Sequence, residues 1–412
     1  MARSLSLAAY RALSRRNRQP DAQAPPLRPS GELVWLHATD DVRFSALRDL
    51  TRRLRQMRPG IHCLLTYDEN VAPANSGGSD RNDEWVMELS SDHPSAARQF
   101  LDHWSPDICL WTGGKLLVNI IGIAADRQIP LILADVAGTE FQSGRHTWIP
   151  DLKRASYDFF GVILVNNDPT AAELKRLGLN ASKIEVTERL RPGAFPPDCA
   201  EDDLANVMED LGGRPVWLAV GAQKIEFDAI LATHRAALRY SHRLLLVMTL
   251  ADPKDCPDLL DKLSRAGLRM ADWDGGAEIV DNTQVVVSES GSELGLWYRS
   301  CPITFLANSL VPGAKGLDPR HAAALGSAIL YGPDVANYED IYRRLQDAGA
   351  ARMVTGGDSL GAALSELIAP DKAAEMALAG WELVTEGADV TNRLVDLIQD
   401  TLDKGEAADA RA

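Results

Sequence analysis

Cysteine is scarce in the sequence, and its placement excludes two kinds of small scaffold. The five cysteines, Cys63, Cys109, Cys199, Cys256 and Cys301, lie far apart and include no C-x-x-C pair. A disulfide framework or a zinc ribbon needs paired cysteines at short, regular spacings. The odd, scattered set is therefore typical of reduced, buried thiols in a cytosolic protein.

Positive charge and long apolar runs are also scarce. The 412 residues carry 43 lysines and arginines against 58 aspartates and glutamates, which gives a formal net charge of −15. Such an acidic chain has no broad attraction for nucleic acid, so nucleic acid is excluded as a partner. No stretch reaches the roughly 18 apolar residues that a membrane span requires. With 45% hydrophobic residues, the chain can still bury the cores of two globular domains.

The common nucleotide-binding motifs are missing as well. No G-x-G-x-x-G follows the first strand of either half, and no G-x-x-x-x-G-K-[ST] occurs, which disfavours nicotinamide and P-loop chemistry. The eight histidines show no metal-ligand spacing, and we expect no metal and no cofactor. Asp272-Trp273-Asp274 has the D-x-D form with which some sugar transferases hold a metal and a diphosphate. Because two glycines follow it, the triplet also fits a turn that ends a strand.

Basic residues are concentrated in the first 18 positions, MARSLSLAAYRALSRRNR. Small apolar residues recur there at helical spacing among the arginines, which favours an amphipathic helix at an anionic membrane surface with Tyr10 at the interface. A frayed, solvated tail explains the segment equally well. Residues 19–30 are rich in proline and fit a linker.

From Gly31 onward, short apolar strands alternate with amphipathic helices, as at 33–37, 107–111, 216–220 and 303–306. This rhythm predicts α/β architecture with parallel sheets covered by helices on both faces. We expect two Rossmann-like, doubly wound domains whose ligands lie at the carboxyl ends of the strands. The predicted division is a basic segment and linker (1–30), a first domain (31–190), a linker (191–213), a second domain (214–370) and a C-terminal helix and tail (371–412).

Two places combine polar residues with a strand end. In the stretch from Glu293 to Pro333, loop amides could hold one phosphate, and a carboxylate early in the following helix could accept hydrogen bonds from a ribose. Such loops also occur in any doubly wound domain. Asp40 and Asp41 follow the first strand, where a carboxylate could act as a base or could cap the next helix.

Several of these segments together resemble the bacterial 3-deoxy-D-manno-octulosonic acid (Kdo) transferases. The matching segments include LVWLHA (33–38), RQFLDHWSPDICLWTGGKL (98–116), ELGLWYR (293–299) and GPDVANYEDI (332–341). The resemblance implies a GT-B fold, in which two Rossmann-like domains face a cleft. It also implies a CMP-Kdo donor, a lipid A precursor as acceptor and no metal. The reaction would take place at the cytoplasmic face of the inner membrane, which the basic N-terminus would contact.

In the first domain the sequence departs from the family at its charged positions. The family's HAxSxGE segment ends in the base glutamate, and Arg43 stands at that place. The glutamate of ELWPN corresponds to Lys115, whereas the lysine of GNLK corresponds to Arg191, which keeps the charge. A guanidinium cannot accept a proton. The resemblance therefore leaves Asp40 or Asp41 as the candidate base, with Arg43, Lys115 and Arg191 as candidate anion holders.

In the second domain the nucleotide-binding positions are partly kept. The family's MGE reads Gly291-Ser292-Glu293, which retains the carboxylate, and Ser309 belongs to a matching SLVP segment. The family's NPxE reads Asp318-Pro319-Arg320-His321, so His321 replaces the ribose-binding glutamate. By resemblance, the residues near the nucleotide are Gly291, Ser292, Glu293, Ser309, Asp318 and His321.

These observations support three hypotheses. The first is a Kdo-transferase-class glycosyltransferase that uses CMP-Kdo and a lipid A precursor in lipopolysaccharide biosynthesis. The second is a catalytically silent paralogue that binds an anionic glycolipid or a pathway partner in a cationic site. The third is a transferase whose donor has changed.

Overall fold

A computed structural model describes residues 10, 14, 26–71, 84–89, 91–141, 150–194, 196–289 and 293–409. The chain divides into two compact units. The first consists of Met1–Gly193 together with Glu386–Ala412, and the second is Ala194–Thr385. Most of the basic segment lies outside the described residues, and so do Gly291 and Ser292. Within the described part of the chain, no helix is both long and apolar enough to cross a membrane.

The first unit is built on a parallel sheet, with seven strands in its described residues, in the order β3-β2-β1-β4-β5-β6-β7. Alternate residues of β1 enter different cores, since Leu33 and Trp35 pack on one face of the sheet and Val34 and Leu36 on the other. Helices therefore cover both faces, as the apolar strand runs predict. The strands are β1 (Leu33–Ala38), β2 (His62–Tyr67), β3 (Glu84–Glu88), β4 (Ile108–Thr112), β5 (Leu131–Val136), β6 (Val162–Val165) and β7 (Ile184–Val186). The helices are α1 (Asp41–Met57), α2 (Pro94–Trp104), α3 (Val118–Asp126), α4 (Pro150–Asp158) and α5 (Asp168–Arg176).

The second unit repeats this plan with a parallel sheet ordered β10-β11-β9-β8-β12-β13-β14 over its described residues. Its first strand again feeds two cores, with Trp217 on one face and Leu218 on the other. The strands are β8 (Val216–Ala222), β9 (Leu245–Leu250), β10 (Met270–Asp272), β11 (Val285–Ser288), β12 (Ile303–Leu306), β13 (Ala328–Tyr331) and β14 (Ala351–Met353). The helices are α6 (Glu201–Leu211), α7 (Phe227–Ala237), α8 (Cys256–Arg265), α9 (Leu294–Ser300), α10 (Arg320–Ala324), α11 (Glu339–Asp347), α12 (Gly357–Leu367) and α13 (Pro370–Thr385).

The C-terminal region differs from the single helix and tail expected over 371–412. It forms α13 in the second unit and α14 (Ala388–Asp409) in the first, where Leu394 and Ile398 enter the core against α1. The break falls at Gly387, whose φ of +82° is a left-handed conformation that favours glycine. A Cβ there would also lie 2.8 Å from the carbonyl oxygen of Arg189. The predicted tail is therefore divided between two units, and α6, which lies within the predicted linker 191–213, belongs to the second unit.

Asp92 also has a different role from the expected one. The sequence suggests that Asp92 opens α2, but the side chain that caps α2 is His93. The carboxylate of Asp92 instead accepts from the backbone N–H groups of Asn119 and Ile120 in the first turn of α3. A carboxylate at the first turn of a helix satisfies N–H groups that have no partner within the helix.

Candidate functional site

The polar residues of the first unit converge at the carboxyl edge of its sheet. Thr39 and Asp40 follow β1, Asp68 follows β2, and Lys115 lies in the loop after β4. Because the sheet is parallel and β2, β1, β4 and β5 are neighbours, these loops lie side by side. The hydrogen bonds and ion pairs described below fall into two groups, one around Arg43 and one around Asp68.

Arg43 is buried, and its guanidinium is held by protein groups on several sides. Nε donates to Asp135 Oδ2 at 2.8 Å, and Nη2 donates to the carbonyl oxygen of Asp135 at 2.7 Å. Nη1 donates to Glu140 Oε1 at 2.6 Å and to Thr39 Oγ1 at 2.9 Å. The carboxylate of Asp40 lies 3.0 Å from the same Nη1. Burial alone would lower the pKa of Arg43, but the three carboxylates outweigh it and raise the pKa, so Arg43 stays charged.

The neighbouring backbone is shaped around this guanidinium. Gly113 has a φ of +79°, and a Cβ on it would lie 2.5 Å from Arg43 Nη1. Glu140 is fixed by two further N–H donors, from Gly114 at 2.7 Å and from Ala137 at 3.1 Å. Arg43 therefore fills a site made by the ends of β1, β4 and β5 and the loops that follow them.

This arrangement changes what the predicted residues can do. Four of the five guanidinium N–H groups already have acceptors inside the protein, and the three acids outnumber the single cation. Nothing in this geometry supports Arg43 as a holder of a ligand anion. Asp40 acts as the N-cap of α1, because its Oδ1 accepts from the backbone N–H of Arg43 at 2.8 Å. Asp40 is also the most exposed of the three acids, with 49% of its side chain accessible against 25% for Glu140 and 5% for Asp135.

Lys115 belongs to the second group of the same edge. Its Nζ lies 2.8 Å from Asp68 Oδ2, while its side chain remains largely exposed. Asp68 is buried and also faces His37 Nε2 at 3.5 Å. Burial would raise the pKa of Asp68, but the bonds with His37 and Lys115 lower it below its usual value. Burial lowers the pKa of His37, whose ring stacks on Trp111 with centroids 3.7 Å apart.

The remaining predicted residues of the first unit lie at its surface. Arg191 Nε is 3.2 Å from Glu386 Oε2, in the segment that returns from the second unit. Asp41 is exposed in the first turn of α1. Both therefore remain accessible in part, and their roles stay predictions.

In the second unit, the loop that follows β12 has an internal partner. The backbone N–H groups of Asn308, Ser309 and Leu310 all donate to the carboxylate of Glu226. The hydroxyl of Ser309 donates to the carbonyl oxygen of Leu306 at 2.5 Å and accepts from the N–H of Gly332 at 2.7 Å. Ser309 is fully buried. The amides that the sequence suggested for a phosphate are thus taken by a side chain of the protein.

Asp318 and Glu293 also have close partners within this unit. Asp318 pairs with Arg320 Nη2 at 2.7 Å, and the bonds from Arg320 outweigh the effect of burial and lower the pKa of Asp318. Glu293 accepts from the indole N–H of Trp273. It lines a cavity of about 330 Å³ together with three aspartates from α6 and the residues before it, Asp198, Asp203 and Asp210. His321 lies in the short helix α10 and is partly exposed.

The D-x-D triplet forms a turn. Strand β10 ends at Asp272, whose Oδ1 accepts from the N–H of Gly275 at 3.1 Å, and Asp274 Oδ2 accepts from the N–H of Glu289 at 2.5 Å. The turn interpretation of the triplet therefore agrees with the structure. No group of three or more potential metal ligands lies together among the residues that the structure describes.

Sequence reasoning missed Asp68, Asp135, Glu140 and Glu226, which hold the two edges together. Asp68 and Glu226 follow β2 and β8, while Asp135 lies at the end of β5 and Glu140 just after it. Their places at the carboxyl ends of strands are the signal that could have selected them. Their partners lie far along the chain, 92 positions away in the case of Arg43 and Asp135.

The chain contains two doubly wound parallel units, and each has polar residues at the carboxyl edge of its sheet. This is the Rossmann-like architecture expected for GT-B glycosyltransferases. Residues 11–193 match the family model described as 3-Deoxy-D-manno-octulosonic-acid transferase (kdotransferase). The similarity continues beyond that segment, because two relatives align over more than nine tenths of the chain. The family model thus covers less than half of the chain, and the two relatives extend the similarity to Kdo transferases over both units.

The relatives are distant in sequence. The chain is 23% identical to the 3-deoxy-D-manno-octulosonic acid transferase of Haemophilus influenzae, over 93% of this chain and 90% of the relative. It is 25% identical to the transferase of the same description from Bordetella pertussis, over 92% and 90%. Among solved structures, the C-terminal CMP-Kdo binding domain of WaaA from Acinetobacter baumannii aligns with 19% identity and a TM-score of 0.42, over 44% of this chain and 96% of that domain. MurG of Acinetobacter baumannii aligns with 13% identity and a TM-score of 0.46, over 90% of this chain and 100% of that protein.

Proposed function

We propose that this protein is a glycosyltransferase that moves Kdo from CMP-Kdo to a lipid A precursor in lipopolysaccharide biosynthesis. The observation that carries the proposal is the similarity to Kdo transferases over 93% and 92% of the chain, which includes both units. The reaction needs no cofactor besides the nucleotide-sugar substrate. We further propose that it takes place at the cytoplasmic face of the inner membrane, with the basic segment 1–18 at the lipid surface.

The transfer requires a proton acceptor near the reacting carbon. A hydroxyl oxygen of the acceptor forms a bond to the anomeric carbon of Kdo, the bond from that carbon to the phosphate oxygen breaks, and CMP leaves with the electron pair. The hydroxyl proton passes to a base. We assign this role to Asp40, because it lies at the carboxyl edge of the first unit beside position 43 and is the accessible acid of the Arg43 group.

Cations are needed for the carboxylate of Kdo and for the departing phosphate. Lys115 and Arg191 are the better candidates, since each has one acidic partner and retains exposed surface. An ammonium has three N–H donors, so the bond to Asp68 leaves Lys115 able to bind a ligand. Arg43 supports the site in another way, by holding Asp40, Asp135 and Glu140 together.

The test is a transfer assay with the full-length chain, CMP-Kdo and a lipid A precursor. CMP release and product mass are measured with and without acceptor, and CMP-sialic acid and UDP-sugars serve as alternative donors. We expect CMP release that depends on the acceptor. Release only from another donor would support a changed specificity, and absence of CMP binding in calorimetry at millimolar concentration would contradict the proposal.

One observation favours a second candidate, a silent paralogue that binds an anionic glycolipid without turnover. Where the resemblance places the base, the protein has a buried arginine bonded to three acids. In this case lipid A precursor would bind, and Lys115→Ala would weaken that binding, while no CMP would be released from CMP-Kdo. Acceptor-dependent turnover by the purified protein excludes the second candidate.

A further inference from the structure

Glu226 is a buried acid at the carboxyl edge of the second unit. It lies between β8 and α7 and is 2% exposed. Its Oε2 accepts from the N–H of Asn308 at 2.8 Å and of Gln223 at 3.1 Å. Its Oε1 accepts from the N–H of Leu310 at 3.1 Å and of Ser309 at 3.3 Å. None of the ion pairs among the described residues includes Glu226.

Four backbone donors around one carboxylate form an anion site. Asn308 has a φ of +56°, which turns successive N–H groups toward one point, as in the backbone nests that bind phosphate. An ionised carboxylate only accepts hydrogen bonds, so it satisfies all four donors without a counter-ion. Without an anion, the amide of the fully buried Ser309 would lose its acceptor, which is unfavourable.

The same carboxylate joins two loops that belong to different strands. Gln223 follows β8, and residues 307–311 follow β12, the neighbour of β8 in the sheet. The second loop is also tied to β13 through Ser309 and Gly332. Gly332 has no room for a side chain, because a Cβ there would lie 2.2 Å from the carbonyl oxygen of Ser309. The loop is thus fixed from both sides, once by Glu226 and once by the hydroxyl of Ser309.

We propose that Glu226 is an internal anion that occupies the phosphate-like site of the second unit and fixes loop 307–311 as a wall of the nucleotide pocket. Glu226 is a positioning residue in this account, since it acts through the loop. The donor phosphate is then bound by side-chain cations and not by these amides. In a variant without the Glu226 carboxylate, the same four amides are available to bind a small carboxylate from solution. The role in nucleotide binding rests on the proposed function, whereas the anion site itself does not.

The experiment compares Glu226→Ala with the wild type in the presence of acetate, which supplies the group that the substitution removes. Acetamide, which is uncharged, and sodium chloride at equal concentration are the control solutes. Asp228→Ala is the matched control variant, because Asp228 is an exposed acid two residues further along the same segment. Melting temperature and the Kd for CMP are measured for each protein and solute.

We expect acetate to raise the melting temperature of Glu226→Ala by about 2–4 °C, with no such effect of acetamide. We expect the Kd of this variant for CMP to rise on the order of tenfold, since a displaced loop misplaces the ligand, and to recover with acetate. Wild type and Asp228→Ala should not respond. Equal responses of all proteins to acetate, or a Glu226→Ala protein that melts and binds CMP as the wild type does, would overturn the proposal.

Glu226→Gln covers the case in which the alanine variant does not fold. The glutamine amide fills the space, but its NH₂ group faces backbone N–H donors and cannot accept from them. Hydrogen exchange at the backbone amides of Asn308, Ser309 and Leu310 should therefore be faster than in the wild type. Unchanged exchange would contradict the internal anion. If the wild type does not bind CMP, the proposed function fails, while the acetate response and the exchange rates still test the anion site.

Discussion

Nε of Arg43 donates to Oδ2 of Asp135 at 2.8 Å, and each side chain is 5% exposed. This pair joins the first turn of α1 to the end of β5, and Asp135 continues the connection by accepting from the N–H of Leu190 at 3.2 Å. The position that the family resemblance gives to a proton acceptor thus holds a structural cation. Its positive charge is used within the protein, and the accessible acid beside it is Asp40.

Arg43→Met tests whether this cation stabilises the first unit. Removing one partner of a buried ion pair leaves the other charge without compensation, which costs about 3–5 kcal/mol. We therefore expect the free energy of unfolding in urea to fall by that amount. Arg265→Met is the matched control, because it removes an exposed ion pair with Asp261 and should change stability by less than about 1 kcal/mol.

A combined variant separates the ion pair from general packing. If the pair with Asp135 is responsible, Asp135→Asn should recover part of the stability lost in Arg43→Met. Equal stability of Arg43→Met and wild type would contradict the structural role. The same geometry predicts that Arg43→Glu fails as a simple restoration of the family motif, since it would place a fourth acid among Asp40, Asp135 and Glu140.

Asp92 gives the first unit a defined pH dependence. Burial raises the pKa of Asp92 from its usual value of 3.8 to about 6. The hydrogen bonds from the N–H groups of Asn119 and Ile120 lower the pKa, but burial has the larger effect. The folded protein therefore binds a proton at this site before the unfolded chain does as pH falls. The contribution of Asp92 to stability rises between pH 7 and pH 4, by up to about 3 kcal/mol for a difference of about two pKa units.

Urea unfolding at several pH values measures this effect as a difference between wild type and Asp92→Asn. The free energy of unfolding of the wild type, relative to that of the variant, should increase as the pH is lowered from 7 to 4. Asp102→Asn, which changes an exposed aspartate, should show no such increase. A difference that stays constant, or that falls with decreasing pH, contradicts the buried, protonatable carboxyl group.

Gly295 is expected to tolerate no side chain. It lies in α9 against the backbone of Pro197 and Asp198, and a Cβ there would be 2.2 Å from the carbonyl oxygen of Asp198. Gly295→Ala must displace this backbone and should lower the free energy of unfolding by about 1–3 kcal/mol.

Gly405→Ala is the opposite case and serves as the control. A Cβ at Gly405 meets nothing within 4 Å, and the residue is exposed in helix α14. Alanine favours a helix over glycine by about 1 kcal/mol, so this variant should be as stable as the wild type or more stable. Equal effects of the two substitutions would show that close packing at Gly295 is not the cause.

The fold could be predicted from the sequence because its strands are apolar runs of the length that a doubly covered parallel sheet requires. Strand β12 agrees with its predicted bounds to the residue. Strand β3, EWVME, was missed because charged residues flank a short apolar centre, which is common at the edge of a sheet. The break at Gly387 was missed because a single glycine in a helical pattern does not reveal the close approach of Arg189.

The candidate site could be predicted only as positions at a sheet edge. The N-cap role of Asp40 follows from its place before a helix, and the structure agrees with it. The partners of Arg43 could not be inferred, because Asp135 and Glu140 lie 92 and 97 positions away and neither belongs to a local motif. Likewise, the 82 positions between Glu226 and Asn308 conceal the internal anion.

The most direct test of the account is the rate of Kdo transfer from CMP-Kdo by Asp40→Asn, with Asp41→Asn as its neighbouring control. Asparagine caps a helix as well as aspartate does, so the fold of α1 is retained and only the proton acceptor is removed. We expect kcat to fall by a factor on the order of 10²–10⁴ for Asp40→Asn, with an unchanged Kd for CMP, and near wild-type turnover for Asp41→Asn. Wild-type kcat in Asp40→Asn would contradict this expectation.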